Sequence, residues 1–251
     1  MNKFLKLLIL FLCFFTFSTN AKNIKVINGL KILTDEYPPF TYKEKGELKG
    51  IAVEILDFML KDISSILNLS NVDFFYWTDA VDFVSRVPNS MLFVMTRTKE
   101  RENVYKWVGP VAPLRQVIFA KKGSGIEIES YKDLKKYKIG VVKDFASSTA
   151  LLSNGIHLKN LVFSYTEKEN LFRLYRDEIK LVAADISNFG QYKNAIFLPD
   201  DLEEVFVMNE YYLYYAFNYD TSDEIVNAFQ FSFDKLKKKG IIKNINDKYL
   251  R

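Results

Sequence analysis

Along this chain, short apolar runs with strand-like spacing alternate with longer stretches of helical period. Leu30–Thr34, Val72–Trp77 and Met91–Met95 predict strands. Ile51–Leu67, opening after Gly50, predicts an amphipathic helix, and Asp79–Val87 a shorter one. A second series then begins. Lys138–Val142, Leu161–Ser164 and Leu181–Ala184 predict strands, and Ser147–Asn154, stopped by Asn-Gly, predicts a helix. Thr166–Asp177 predicts another, opened by Thr-Glu-Lys-Glu at capping-box spacing. Tyr212–Asn218 predicts a last strand, after which Ser222 caps a long helix running to the lysines before Gly240. Two βαβ series joined by an extended run, Leu114–Ala120, predict an α/β fold of two lobes rather than one sheet. With a return near Val205–Leu213, the expected division is residues 22–113 and 212–251 in lobe 1 and 114–211 in lobe 2, joined by a two-segment hinge. Between such lobes lies a cleft, and open α/β sheets bind ligands at the C-terminal ends of their strands.

The first 21 residues follow a different pattern. Lys3 and Lys6 precede an apolar run, Leu7–Phe17, broken only by Thr16, and Ser-Thr-Asn-Ala ends at Ala21. That order is expected of a cleaved secretory signal peptide, and the run is too short to span a bilayer. Without the two signal lysines, the formal net charge falls from +4 to +2. A charge so balanced argues against nucleic-acid binding, which needs a larger basic footprint. The single cysteine, Cys13, lies inside this segment, so the mature chain is expected to have neither a disulfide nor a thiolate nucleophile. The expected product is soluble and lies outside the cytoplasm.

Candidate chemistry sits just after the strands. Asp35-Glu36-Tyr37-Pro38-Pro39-Phe40 follows the first, stiffened by two prolines that hold an acid and aromatics at the strand mouth. Trp77 ends the second, where rim packing competes with a role as a stacking wall. After the third come Thr96, Arg97, Thr98 and Arg101; a guanidinium grips carboxylate through two parallel hydrogen bonds, although an exposed turn paired with Glu100 or Glu102 fits equally. Ser147 and Ser148 open a helix, either as plain caps or as anion donors. Asp185 ends a strand of the second series, as a cap or as an ammonium acceptor. Together these groups supply donors for a carboxylate, acids for an ammonium and aromatics for the body between, which is the inventory for a zwitterionic amino acid. The one histidine, His157, lies in Asn-Gly-Ile-His and reads as a surface turn, so no catalytic residue, metal ligand or cofactor site is assigned.

The chain resembles the type II periplasmic solute-binding proteins, the amino-acid-binding family allied to the glutamine-binding protein. The residues that carry the likeness are Glu36–Phe40 with Gly46 and Gly50-Ile51, Thr96–Arg101, Ile139-Gly140-Val141, Asp185, and the ending Tyr-Tyr-Ala-Phe … Lys-Gly-Ile-Ile … Lys-Tyr. The resemblance implies that Arg101 holds the ligand α-carboxylate beside Thr96, that Tyr37 and Trp77 stack on the ligand, and that Asp185 takes the α-ammonium. It also implies that the Ser147-Ser148 helix start donates to the ligand. Arg97 stays a candidate beside Arg101, although alternation along an extended strand puts it opposite Thr96. Glu36 is carried as a candidate from the first loop. The family pattern is broken at Ala52, at Pro88–Met91, and at Lys143-Asp144-Phe145-Ala146, which lacks glycine; Phe145 is expected to narrow the cleft. The implied function is a monomeric periplasmic binding protein that closes on an amino acid or related carboxylate and delivers it to an inner-membrane ABC permease. The alternatives are a cyclohexadienyl-dehydratase-like enzyme on the same scaffold and a ligand sensor without transport.

Overall fold

The computed structural model describes residue 27 and residues 29–63, 66–185 and 202–250. The expected signal segment, with Cys13, lies outside the described residues. The strands are β1 (Lys31–Thr34), β2 (Tyr42–Glu44), β3 (Glu47–Lys49), β4 (Val72–Phe74), β5 (Ser90–Thr96), β6 (Tyr105–Lys121), β7 (Ile139–Val142), β8 (Leu161–Ser164), β9 (Leu181–Asp185) and β10 (Leu202–Asn218). The α-helices are α1 (Ile51–Asp62), α2 (Trp77–Arg86), α3 (Tyr131–Leu134), α4 (Ala146–Ser153), α5 (Glu167–Tyr175), α6 (Asp223–Lys238) and α7 (Ile241–Tyr249).

The fold is two-lobed α/β, and its sheet order is β4-β1-β5-β10-β6-β9-β7-β8. In the first lobe β4, β1 and β5 run parallel, and β5 pairs antiparallel with the C-terminal half of β10. In the second, β8, β7 and β9 run parallel, and β9 pairs antiparallel with the C-terminal half of β6. The expectation of two separate sheets needs correction here. β6 and β10 are each 17 residues long and pair with one another from Leu202↔Lys121 to Asn218↔Tyr105, so one ladder passes through both lobes. The run Leu114–Ala120 is only the second half of that strand. Local pattern underestimates it because Pro110, Pro113 and charged side chains interrupt the apolar spacing, while the missing bonds are made by β10, about a hundred residues away.

Each sheet half is covered on both faces, as parallel strands require. Helices α1, α6 and α7 bury Ile55, Leu56, Phe229 and Phe233 against Ile32, Phe93 and Phe217 on one face of the first lobe. Helix α2 covers the other face through Ala80 and Val84. In the second lobe Leu151 of α4 joins Ile139 and Leu181, and Leu171 and Leu174 of α5 join Val117 and Val182. Caps act where expected: the Thr166 side chain accepts from the Glu169 N–H at 3.2 Å, and Ser222 accepts from that of Glu224 at 3.2 Å. Helix α7, the β2–β3 hairpin and α3 are additions to the predicted elements. The first predicted helix ends as an α-helix at Asp62, ahead of Leu67.

Candidate ligand-binding cleft

Among the described residues, groups at the C-terminal ends of the parallel strands of both lobes border the line where the lobes meet. From the first lobe come the β1 loop at 35–41, the start of α2 and the turn after β5. From the second come the start of α4, the start of α5 and the end of β9. The proline-stiffened β1 loop closes on itself, with the Tyr37 N–H donating to the Thr41 carbonyl at 2.7 Å, and this buries Tyr37 beside Phe40. Trp77 is the first residue of α2, because β4 ends at Phe74.

The lobes meet through named bonds. The Tyr37 hydroxyl donates to Asp185 Oδ2 at 3.1 Å. Arg101 Nη2 donates to the Asp144 carbonyl at 2.6 Å, and Trp77 Nε1 donates to the same oxygen at 3.1 Å. That carbonyl is aimed by a left-handed backbone at Asp144, φ 61°, in the turn that has no glycine. Aspartate is one of the few residues that visit this region at modest cost. The next residue, Phe145, sets its ring edge-on to Tyr37 and Trp77, with centroids 5.9 Å and 5.4 Å away. At the mouth the rings of Tyr76 and Tyr165 approach to 6.4 Å across the cleft.

The two arginines of the β5 turn have different fates. Arg101 lies inside the cleft. It sits over the Trp77 ring at 5.5 Å, bonds the Thr96 carbonyl at 3.3 Å, and has no carboxylate at ion-pair distance among the described residues. Desolvation draws its pKa down, yet a guanidinium stays charged. Arg97 points away. It makes a two-pronged pair with Glu102, at 2.8 Å and 2.5 Å, and stacks between Trp107 and Tyr214. Both partners of that pair are partly exposed, so Arg97 is occupied on the outer surface.

Two cavities border this meeting line. A small one, about 20 Å³, lies among Thr96, Arg101, Gln116 and Asp35, and is large enough for about one water. A larger one, about 410 Å³, opens between the lobes beside Glu36 and Glu167. Asp35, Tyr37, Trp77 and Phe145 line both cavities. Glu36 is exposed at the rim. Of the two serines, Ser148 turns back to donate to the Phe145 carbonyl at 2.8 Å, and both are buried at the base of α4, outside the lining of either cavity. Asp185 is buried beneath the cleft, where its N–H donates to Glu167 Oε1 at 3.4 Å. Burial and the neighbouring Asp185 and Glu167 raise the pKa of Tyr37 well above its ordinary value, so its hydroxyl keeps its proton and donates.

Asp35 and Gln116 were not singled out from sequence. Asp35 is 6% exposed, its Oδ1 has no hydrogen-bond partner among the described residues, and burial pushes its carboxyl pKa from 3.8 to about 7, with Glu36 adding to the rise. Gln116 Oε1, on β6 directly opposite Asp185, is likewise buried and unpartnered. The signal for Gln116 was a lone amide within an apolar hinge run. For Asp35 it was the strand-end position just before Glu36.

Comparison with known proteins agrees with this architecture. A sequence model for the bacterial extracellular solute-binding proteins, family 3, matches residues 30–251. The probable amino-acid-binding protein YxeM of Bacillus subtilis (strain 168) is 24% identical over 229 residues, covering 86% of this chain and 81% of that protein. Among solved structures, a histidine kinase sensor domain with similarity to periplasmic binding proteins superposes with a TM-score of 0.77 at 19% identity, covering 89% of this chain and 96% of that one. A mutant of ArgBP from T. maritima gives 0.77 at 17% identity, covering 91% and 99%. With the family model spanning all but the first 29 residues, the chain belongs to the bacterial extracellular solute-binding proteins, family 3.

Proposed function

We propose that this protein binds an amino acid between its lobes, outside the cytoplasm, and presents it to an inner-membrane ABC permease. The observation that carries the reading is the guanidinium of Arg101. It is held in the cleft with no carboxylate partner among the described residues, and it faces the buried unpartnered oxygens of Gln116 and Asp35 around one small cavity. A ligand α-carboxylate on Arg101 and an α-ammonium near Asp185 and the Gln116 oxygen satisfy the first two and leave Asp35 free for a further group. The lobes take residues 22–113 and 212–251, and residues 114–211, with the ladder of β6 and β10 as hinge. Tyr37–Asp185 and Arg101–Asp144 are closing contacts, and a ligand that touches both lobes stabilises the closed state by its differential affinity. Binding rather than catalysis is supported by the YxeM relative, whose name records amino-acid binding.

The test is calorimetric titration of the mature protein with the common amino acids, repeated on Arg101→Lys and Arg97→Lys. Lysine keeps the charge and loses the fork. Weakening a desolvated charge contact costs ~2–5 kcal/mol, a loss of about thirty-fold or more at Arg101. At Arg97, committed to the exposed Glu102, the loss is below about five-fold. Equal affinities for Arg101→Lys and the unaltered protein refute the assignment.

A further inference from the structure

The larger cavity carries charge of one sign. Asp35, Glu36, Asp79 and Glu167 lie on its lining, and among the described residues no lysine or arginine does. The rest of its wall is largely aromatic, with Phe75, Tyr76 and Tyr165 exposed and Trp77 buried. Arg101 is confined to the smaller cavity, across the shared residues Asp35, Tyr37, Trp77 and Phe145. An acidic rim is common on protein surfaces and means nothing alone. Here it coincides with a carboxylate that is more than nine-tenths buried, lines the cavity and leaves Oδ1 unpartnered. Such a group is costly to bury as an anion unless a cation or donor meets it. Aromatic ring faces attract cations, more strongly when water is excluded. Among the described residues no three acids converge as a metal-ligand set, and the largely aromatic wall suits an organic cation.

We infer that the larger cavity is a subsite for an organic cation, an alkylguanidinium or alkylammonium, clasped by Asp35 and the surrounding acids between aromatic faces. The volume of about 410 Å³ suits a head group on a short alkyl chain. The inference deepens the amino-acid reading by giving the ligand a second positive charge. The same head group could also come from an amine with no carboxylate.

Titration calorimetry with L-arginine, L-lysine, L-citrulline, L-glutamine, agmatine and cadaverine separates these sources. Citrulline matches arginine in shape and lacks its charge; agmatine and cadaverine keep the charge and lack the carboxylate. The expected result is binding of arginine or lysine, with citrulline and glutamine weaker by about thirty-fold or more, the loss typical of a desolvated charge contact. Asp35→Asn, confirmed folded by its melting curve, lowers cation affinity by a similar factor. It leaves whatever weak citrulline affinity exists within about three-fold. Agmatine or cadaverine binding as tightly as the amino acids supports the cation subsite and overturns the α-carboxylate assignment at Arg101. Citrulline or glutamine binding as tightly as arginine overturns the subsite and leaves the amino-acid reading standing. Failure of all four cations to bind, or unchanged arginine affinity in Asp35→Asn, also overturns it.

Discussion

Asp35→Asn tests the energetic cost of the unpartnered carboxyl directly, in protein without ligand. In the unfolded chain this group titrates near 3.8, and in the folded protein near 7. Between those pH values the folded state holds a proton that the unfolded state has released, so stability falls as pH rises. Below about pH 4 the carboxyl is neutral in both states and costs nothing; above about pH 7 the full penalty applies. At ~1.4 kcal/mol per tenfold change in proton affinity, the displacement amounts to about 4 kcal/mol. Asparagine has nearly the same shape and never ionises. The variant therefore gains stability over the unaltered protein by about 1 kcal/mol near pH 4.5 and about 4 kcal/mol near pH 8. Urea unfolding of both proteins at the two pH values reads this difference of differences, in which the other carboxylates cancel. A gap independent of pH, or an unaltered protein that is the more stable at pH 8, refutes the reasoning.

Three further outcomes follow from the geometry. Cation affinity rises with pH through about 7, because Asp35 must release its proton to pair with the ligand. Among the described residues, Glu36 beside it, Asp79 and Tyr76 at the start of α2, Tyr165, Glu167 and Asp185 across the cleft, Tyr37 and Arg101 are the other charged or titratable groups facing the region. A flat affinity profile between pH 6 and 8 contradicts this. Phe145→Ala removes two edge-on aromatic contacts between the lobes, at ~0.5–1.5 kcal/mol each, and merges the two cavities. Small-angle scattering should show a more open ligand-free protein; superimposable curves speak against Phe145 as a closing contact. In Gly140→Ala the new methyl would sit 2.6 Å from Ile179 Cδ1 and 2.8 Å from Asn170 Oδ1, the oxygen that accepts from Ser164. Overpacking of this kind costs ~1–3 kcal/mol, and an unchanged urea midpoint contradicts it.

The alternation of strand and helix, the caps at Thr166 and Ser222, and the placing of candidates just after strands were all legible along the chain, because each depends on neighbours within a few residues. The two-lobed class follows from two such series. The choice between Arg97 and Arg101 did not follow, since both sit in one turn and only the folded turn gives Arg97 to Glu102 and turns Arg101 toward Asp144. Trp77 was expected at a strand end and begins a helix instead. Asp35 is marked along the chain only by its strand-end position beside Glu36, which does not reveal its burial. Its burial is imposed by the packed cleft, where Tyr37 meets Asp185 across 148 residues and Trp77 meets Asp144 across 67. Hydrophobic period and capping are properties of a segment, readable in order. Desolvation and charge pairing depend on which distant segments converge, and that is decided when β6 and β10 pair and carry one lobe onto the other.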